Sequence, residues 1–310
     1  MTTPSAPIPP KSVSLLGFGE AGMAFTKGWR AEFPELAIAA YDIKTDSAMP
    51  KVAEGKWQDY LNNEVVGGET LASVMENASV VFSLVTADQA EAVGRSAAKC
   101  LPAGSYYFDC NSCAPDTKHN SATILEAVGI RYVDTAVMSP VHPKLHKAPL
   151  LISGPHVKDA ANILHSLDMN VQVVPGEVGR ASSIKMMRSI MIKGLEALTL
   201  ECFLSARKAG VEAEVLASLA ASFPEWNWVN RAAYNLERCT SHGIRRAAEM
   251  REVAKTVDDL GLNNGMSRAI VEWQQEMGDL NLPVTEVDLF TRADDILAAV
   301  TTKQVEKGRK

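Results

Sequence analysis

The chain has 310 residues, a formal net charge of −6 at pH 7 and 46% hydrophobic residues, which is enough for two domains or one large one with an ample core. The acidic balance, without any basic stripe, argues against a nucleic-acid-binding protein, and no apolar run reaches the length of a membrane span. The Pro- and Ser-rich segment 1–11 is predicted to be a tail rather than a signal peptide. Five scattered cysteines are typical of a reducing compartment, so we expect a cytoplasmic protein.

A glycine-rich turn lies between the first two predicted strands. The apolar run Ser12–Leu16 leads into GFGEAG at Gly17–Gly22, which opens a predicted helix ending near Glu32. In a dinucleotide-binding fold, the first glycine of such a turn permits the tight bend. The second lets the backbone approach a pyrophosphate, and the third lets helix and strand pack closely. The helix N-terminus then offers N–H groups to the phosphates. The alternative is a glycine turn in an ordinary α/β domain.

The second predicted strand, Leu36–Tyr41, ends at Asp42, twenty residues past the third glycine. An acid at this place accepts hydrogen bonds from the adenosine ribose and repels a 2′-phosphate, which predicts NAD as cofactor. Lys44 and Lys51 follow closely and would weaken that repulsion, so NADP remains possible. The residues predicted to hold the cofactor are Gly17, Phe18, Gly19, Glu20, Ala21, Gly22, Asp42, Val85 and Thr86.

Short strand-like runs then alternate with helical patterns such as Asp88–Lys99 and Asp116–Val128. This alternation predicts a doubly wound parallel sheet. The further predicted strands are Ser79–Val85, Ser105–Asp109, Arg131–Val137, Pro149–Ser153 and Asn170–Val174.

The strand signal stops at Gly176–Gly179. A helical pattern runs from Arg180 to Ala209 and ends at Gly210, and the remaining residues, 211–310, contain only helical patterns. We therefore predict an α/β fold in two domains: a Rossmann-type dinucleotide-binding domain over 1–175 and an all-helical domain over 176–310.

Two loops at predicted strand ends carry polar side chains. Asp109–Pro115 contains Asn111 and Ser112, which would face a ligand, or cap the helix that starts at Pro115, or both. The same loop contains a CxxC pair, but no second pair completes a metal site, so no metal is predicted. The loop after the Arg131–Val137 strand contains Ser139 and the basic segment 141–147, for which a solvated loop is the alternative.

Lys185 is the strongest acid/base candidate. It shares a helical face with Ser182 and with Arg188 or Ser189, at the start of the predicted second domain. A lysine buried in an interdomain cleft is suited to proton transfer near neutral pH. On spacing alone, a surface lysine is the commoner outcome.

Four segments resemble motifs of the β-hydroxyacid dehydrogenase family, which includes 3-hydroxyisobutyrate and 6-phosphogluconate dehydrogenases. Gly17–Ala24 resembles the GxGxMG start, and Asp109–Pro115 the DxSTxxP loop. Asp134–Ser139 resembles the DAPVSGG substrate loop, and Gly176–Lys185 resembles GxVGxGxxxK. The resemblance implies that Lys185 is catalytic. The segment after Lys185 is similar to a subgroup with a phosphogluconate-dehydrogenase-like C-terminal domain.

Three departures concern the substrate side. Ser189 stands where the family usually has asparagine, Met138-Ser139-Pro140 replaces Ser-Gly-Gly, and Glu249 falls near the place of the family's KDL motif. The resemblance implies an NAD-dependent dehydrogenase, with Lys185 as general acid/base and a helical domain that forms a homodimer. Imine reductases share the architecture but usually lack the lysine. Imine reduction and a non-catalytic dinucleotide-binding role stay open as alternatives.

Several basic residues fall in segments expected to face the cleft, which predicts a small anionic substrate. Asn111, Ser112, Ser139, Arg188 and Ser189 are the candidate substrate-binding residues. The cationic residues are His142, Lys144, His146, Lys147, Lys185 and Arg188. An aromatic group in the helical part would line a pocket for a bulkier substrate or, as the more common outcome, pack in the core; it comprises Phe223, Trp226, Trp228 and Tyr234.

Overall fold

The computed structural model describes residues 9–283 and 288–307. The chain divides into two compact units, Met1–Met186 and Met187–Lys310. The domain boundary at 175/176 stays a prediction. The unit division falls later because the first residues of a long helix, Arg180–Ala209 (α7), are hydrogen-bonded within the first unit. In the described part of the chain, no helix has the length and apolar content needed to cross a membrane.

The first unit is built on an eight-stranded sheet with the order β3-β2-β1-β4-β5-β6-β7-β8. The chain crosses from β3 on one side to β4 on the other, so β1 and β4 flank the point where a ligand binds in doubly wound sheets. The strands are β1 (Ser12–Leu16), β2 (Ala37–Tyr41), β3 (Val66–Gly67), β4 (Val80–Ser83), β5 (Tyr106–Asp109), β6 (Arg131–Val137), β7 (Leu150–Ser153) and β8 (Val171–Val173).

One strand pair departs from the predicted parallel arrangement. β7 is antiparallel to β6, with Val137 opposite Leu150, while the other neighbouring pairs are parallel. The cause is the connection: β6 and β7 are joined by the loop 138–149 without a crossover helix, and such a connection reverses the chain.

Helices cover both faces of this sheet, and successive strand residues point to opposite faces. Phe82 and Phe108 stack at 4.9 Å between ring centroids on one face, in a core that includes Trp29, whereas Tyr107 packs on the other. The helices are α1 (Glu20–Glu32), α2 (Pro50–Asn62), α3 (Leu71–Met75), α4 (Ala90–Ala97), α5 (Pro115–Glu126) and α6 (Val157–Ser166). The fold prediction is confirmed, and α2, α3, α6 and β3 are additions to the elements named from the sequence.

The second unit is helical over its described residues. Beyond α7 its helices are α8 (Glu212–Ser222), α9 (Trp228–Asp259), α10 (Gly265–Gly278) and α11 (Leu289–Lys307). The bounds predicted for α7 are confirmed, and Gly210 follows it with φ of +70°, a conformation that glycine adopts without strain.

The aromatic group of this unit is divided. Trp228 packs beside the core of the second unit and lies 5.1 Å from Trp226 between ring centroids, whereas Tyr234 is 54% exposed. Phe223 is also about half exposed. Core packing therefore accounts for Trp228 but not for Tyr234.

Candidate active site

The glycine turn after β1 has little room for side chains. Gly17 has φ of +86°, its N–H donates to the Tyr41 carbonyl at 2.8 Å, and an added Cβ would lie 2.6 Å from the Leu84 carbonyl oxygen. At Gly22, a Cβ would lie 3.0 Å from the Gly17 carbonyl oxygen. Gly17 therefore requires glycine for the folded backbone itself, whereas at Gly22 the close approach of helix to turn leaves tight space for a side chain.

Gly19 is different, because a Cβ added there would meet nothing within 4 Å. It is the N-cap of α1, is exposed, and has an extended conformation with φ of −93°. Glu20 and Ala21 form the first turn behind it. The open space in front of this helix N-terminus is the cradle that a pyrophosphate needs, so the turn fits a dinucleotide.

Asp42 connects the end of β2 to this turn. Its Oδ2 accepts a hydrogen bond from the Phe18 N–H at 2.8 Å, and its Oδ1 accepts one from the Lys44 N–H at 3.0 Å. A carboxylate has about four acceptor sites, so two remain for ribose hydroxyls. Lys44 and Lys51 are exposed, as expected for residues that could meet a 2′-phosphate.

Sequence reasoning missed two residues that support the turn. Lys56 is 5% exposed, and its Nζ donates to the Phe18 carbonyl and to Asp59, both at 2.6 Å. The Tyr60 ring lies 5.2 Å from the Phe18 ring, and burial, together with the charge of Asp42, raises the pKa of Tyr60. The one sequence signal for these two residues is their i, i+4 spacing, which places them on the same face of α2.

Val85 and Thr86 follow β4, beside the glycine turn. Val85 Cγ1 would be 3.1 Å from a Cβ added at Gly17, so this side chain does border the turn. Thr86 is exposed, and the side chains of Gln89 and Thr86 hold the pKa of Asp88 below its usual range.

At the end of β5, Asn111 and Ser112 have different surroundings. Asn111 is 3% exposed, and its Nδ2 donates to Ser83 Oγ at 2.9 Å and to Asp109 Oδ1 at 2.7 Å. Ser112 is partly exposed, and its Oγ accepts from Lys185 Nζ at 2.5 Å. Neither caps α5, whose N-cap is Ala114. The structure thus brings Asn111, Ser112 and Lys185 together within the first unit.

A buried ion-pair network underlies this group. Lys118 is fully buried; its Nζ lies 2.9 Å from Asp109 Oδ1 and 3.8 Å from Asp134 Oδ1. Burial alone would lower the pKa of Lys118, but the nearby acidic groups, with Asp109 foremost, raise it overall. The two acidic side chains thus favour the charged form of Lys118.

Asp134 in turn holds the start of α7. Its Oδ2 accepts from the N–H groups of Gly179 at 3.0 Å and Ser182 at 3.1 Å, and its Oδ1 accepts from Ser182 Oγ at 2.5 Å. A carboxylate at a helix N-terminus satisfies the unpaired N–H groups and the helix dipole. Lys185 follows Ser182 by three residues on the same helix, so Asp134 fixes the segment that carries it.

The other candidate substrate residues are more scattered. Ser139 Oγ donates to the Pro140 carbonyl at 3.0 Å. Arg188 and Ser189 belong to the second unit, where Arg188 is exposed and Ser189 is buried. Ser189 Oγ accepts from Lys193 Nζ at 3.3 Å, and this lysine pairs with Glu249 at 2.8 Å.

The basic loop 141–147 corrects the prediction that all its cations face a cleft. His146 is 2% exposed and packs over Gly28 of α1, and Lys147 Nζ lies 2.6 Å from Glu32 and 2.7 Å from Asp168. The contacts with Gly28 and Glu32 are with the second half of α1, away from the glycine turn, because the loop folds back along that helix, and Asp168 follows α6. His142 and Lys144 are exposed.

The CxxC pair has a structural environment. Cys110 and Cys113 are both buried thiols, and burial above all raises the pKa of Cys110 to about 12. A thiol of this kind is unreactive at neutral pH.

Two sequence-family models match the chain. The sequence-family model "NAD binding domain of 6-phosphogluconate dehydrogenase" matches residues 12–172, and "Domain of unknown function (DUF1932)" matches residues 206–277.

Three solved structures cover most of the chain. A conserved hypothetical protein from Sinorhizobium meliloti is 34% identical, with 93% of this chain and 96% of that one covered and a TM-score of 0.69. A conserved protein of unknown function, described as structurally similar to 3-hydroxyacid dehydrogenases, is 25% identical, with 86% and 97% covered and a TM-score of 0.65. The 3-hydroxyisobutyrate dehydrogenase of Mycobacterium tuberculosis shares the fold at 12% identity, with 92% and 98% covered and a TM-score of 0.66.

The match over more than half of the chain, the glycine turn with Asp42, and the Lys185–Ser112 pair all lead to one conclusion. The chain belongs to the β-hydroxyacid dehydrogenase family of 3-hydroxyisobutyrate and 6-phosphogluconate dehydrogenase-like proteins, and its first unit is a nicotinamide dinucleotide-binding domain.

Proposed function

We propose that this protein is an NAD-dependent dehydrogenase that interconverts the alcohol and the carbonyl of a small hydroxy acid, with Lys185 as general acid/base. The observation that carries the proposal is the hydrogen bond from Lys185 Nζ to Ser112 Oγ, in the same unit as the glycine turn. An ammonium beside a hydroxyl at the end of a central strand is suited to binding and protonating a substrate oxygen.

A nicotinamide dinucleotide bound at the glycine turn supplies or accepts the hydride. Lys185 would give a proton to the substrate oxygen during carbonyl reduction and take it back during alcohol oxidation. Ser112 would orient that oxygen through the hydrogen bond it shares with Lys185. Asn111 would keep the loop in place through Ser83 and Asp109, which use both of its amide hydrogens, and its buried Oδ1 would be the atom left for the substrate or the nicotinamide.

The charge of the substrate is part of the proposal. After the correction for His146 and Lys147, the basic residues that support an anionic substrate are Lys185 and Arg188, together with the exposed His142 and Lys144. Arg188 is exposed on α7, three residues beyond Lys185, and a guanidinium binds a carboxylate with two parallel hydrogen bonds. Arg188→Ala should raise KM for an acid substrate far more than for its amide, and equal losses would refute an anion-binding role.

Lys185→Met tests the chemistry, since it keeps the length of the side chain but removes the amine. With a panel of hydroxy acids, their carbonyl counterparts and imines, kcat should fall on the order of 10²–10⁴-fold while NADH affinity is kept. The control is Lys158→Met, which removes an exposed lysine of α6.

Three results would contradict the proposal. Retained turnover of a carbonyl in Lys185→Met would exclude this lysine as the proton donor. Turnover of imines alone would favour an imine reductase. NADH binding without any turnover in the unmodified protein would favour a dinucleotide-sensing protein.

A homodimer formed through α7 completes the proposal. Met191 and Leu198 lie seven residues apart on this helix and are 64% and 61% exposed, and Cys202 and Val211 continue an apolar groove beside Leu198. Exposed apolar side chains at heptad spacing are typical of a helix that packs on another copy. Leu198→Glu should halve the mass measured by light scattering, whereas Ala298→Glu on α11 should not. A Leu198→Glu dimer would refute this interface.

A further inference from the structure

The Lys185–Ser112 pair is held from both sides by one buried network. The network consists of Lys118, Asp109 and Asp134, each at most 1% exposed. Asp109 belongs to β5 and Asp134 to β6, so Lys118 on α5 connects the ends of neighbouring strands.

The Asp109 side of the network holds the loop that carries Ser112. Lys118 Nζ donates to the Asp109 carbonyl at 2.6 Å, and Asp109 Oδ1 accepts from the Asn111 N–H at 3.0 Å. Asp109 Oδ2 accepts from the Tyr132 hydroxyl at 2.7 Å. The backbone immediately before Ser112 is therefore held by two of these hydrogen bonds, and the third fixes the Asp109 side chain.

The Asp134 side holds the helix that carries Lys185. Besides its bonds to Gly179 and Ser182, Asp134 Oδ2 accepts from Ser153 Oγ at 3.0 Å, and that hydroxyl accepts from the Ala181 N–H at 2.9 Å. Gly179 has φ of +88°, and an added Cβ would lie 2.9 Å from His119 of α5, so the helix start is also fixed sterically. Asp134 thus determines both the position and the direction of the first turn of α7.

We propose that Lys118 is a positioning residue that sets the geometry of the Lys185–Ser112 pair through Asp109 and Asp134. Without its ammonium, two buried carboxylates lose their shared counter-ion and repel each other, and each is the anchor of one partner in the pair. The ammonium of Lys118 is bound by Asp109 and Asp134, so its effect passes through the two carboxylates. The catalytic consequence rests on the proposed function, but the geometric one does not.

The first experiment needs no substrate. Competitive acetylation with acetic anhydride across a pH series, read by mass spectrometry, measures the reactivity of Lys185 against that of the exposed Lys158 in the same sample. Lys118→Met should shift the Lys185 profile by about half a pH unit, or about threefold in rate at fixed pH, and leave Lys158 unchanged. Ser112→Ala should shift it too. A folded Lys118→Met protein with the wild-type Lys185 profile would overturn the proposal, and a lower Tm alone would mean a purely structural role.

The second experiment measures turnover. Lys118→Met should lower kcat on the order of 100-fold, the loss typical of a 1 Å misplacement, with little change in NADH affinity. If wild-type protein turns over none of the panel but Lys118→Met shifts the acetylation profile, the proposed function fails and the positioning role stands.

Two milder variants decide the case if Lys118→Met does not fold. Ser182→Ala removes one hydroxyl from the Asp134 side, and Tyr132→Phe removes one from the Asp109 side. A shifted Lys185 profile in both supports the network, whereas wild-type profiles in both overturn it.

Discussion

The glycine turn 17–22 and the loop 138–149 follow the carboxyl ends of two parallel strands, β1 and β6. The turn has the backbone conformation that its sequence predicts, whereas the loop does not point its basic side chains where its sequence predicts. The turn bends at Gly17, and its backbone is held by Tyr41 and Asp42. The loop was expected to present cations to a ligand, but half of its basic segment folds back on α1, with His146 over Gly28. Backbone requirements are readable locally, whereas the direction of a charged side chain depends on what packs against it.

The largest effects should come from the turn, where Gly17→Ala and Gly19→Ala separate folding from binding. Gly17→Ala introduces a clash with Leu84 and a strained positive φ, which together cost at least about 1–3 kcal/mol of stability. Gly19→Ala meets no atom and loses only the N-cap preference for glycine, so its Tm should fall less than that of Gly17→Ala, while NADH affinity should fall tenfold or more, about 1.4 kcal/mol. Calorimetric titration and thermal melts measure both. Unchanged NADH affinity in Gly19→Ala would refute the pyrophosphate cradle.

Asp42, which binds the backbone of the glycine turn, tests the choice between NAD and NADP. Asp42→Ser removes the charge that repels a 2′-phosphate, with Lys44 beside it, so the NAD-to-NADP ratio of kcat/KM should fall on the order of tenfold. Lys158→Ser serves as an exposed control on α6. Comparable kcat/KM for the two cofactors in the wild-type protein would contradict the assignment of NAD.

The burial of His146 in the loop can be tested by the pH dependence of the free energy of unfolding. Burial, opposed by Glu32, lowers the pKa of His146 from its ordinary 6.5. As the pH falls, His146 therefore binds a proton in the unfolded chain before it does in the folded one. The free energy of unfolding decreases as the pH falls through 6.5 toward the lower pKa of the folded state. Urea unfolding at about pH 7.5 and about pH 5.5 should show a smaller pH dependence in His146→Gln than in wild type. The exposed His165 gives the control, His165→Gln, and an unchanged pH dependence in His146→Gln would place the titrating group elsewhere.

Lys147 should give the smallest effect. Its ion pairs with Glu32 and Asp168 are exposed and screened by salt, so Lys147→Met should barely change the free energy of unfolding. KM for an acid substrate should also stay at the wild-type value, because the side chain is bound at the far half of α1. If Lys147→Met instead raised KM for an acid substrate as much as Arg188→Ala is expected to, Lys147 would contribute to substrate binding.

Sequence alone determined the turn at Gly17–Gly22, the alternation of strands and helices, and the bounds of α7. These features depend on local requirements: a positive φ, the helical and strand periods, and a glycine after the last helical turn. They predict a dinucleotide site at the turn and Lys185 as the acid/base candidate.

Tertiary structure alone decided what the buried charges do. A lysine such as Lys118 has the same sequence signature as a surface lysine on an amphipathic helix, and its burial depends on Asp109 and Asp134, which two strands bring to it. Lys185 and Ser112 are 73 residues apart, and Ser182 and Asp134 are 48 apart, so no local pattern pairs them. The free energy of a buried charge depends on its partners, and the fold supplies those partners only when the strand ends meet the first turns of α7 within the first unit.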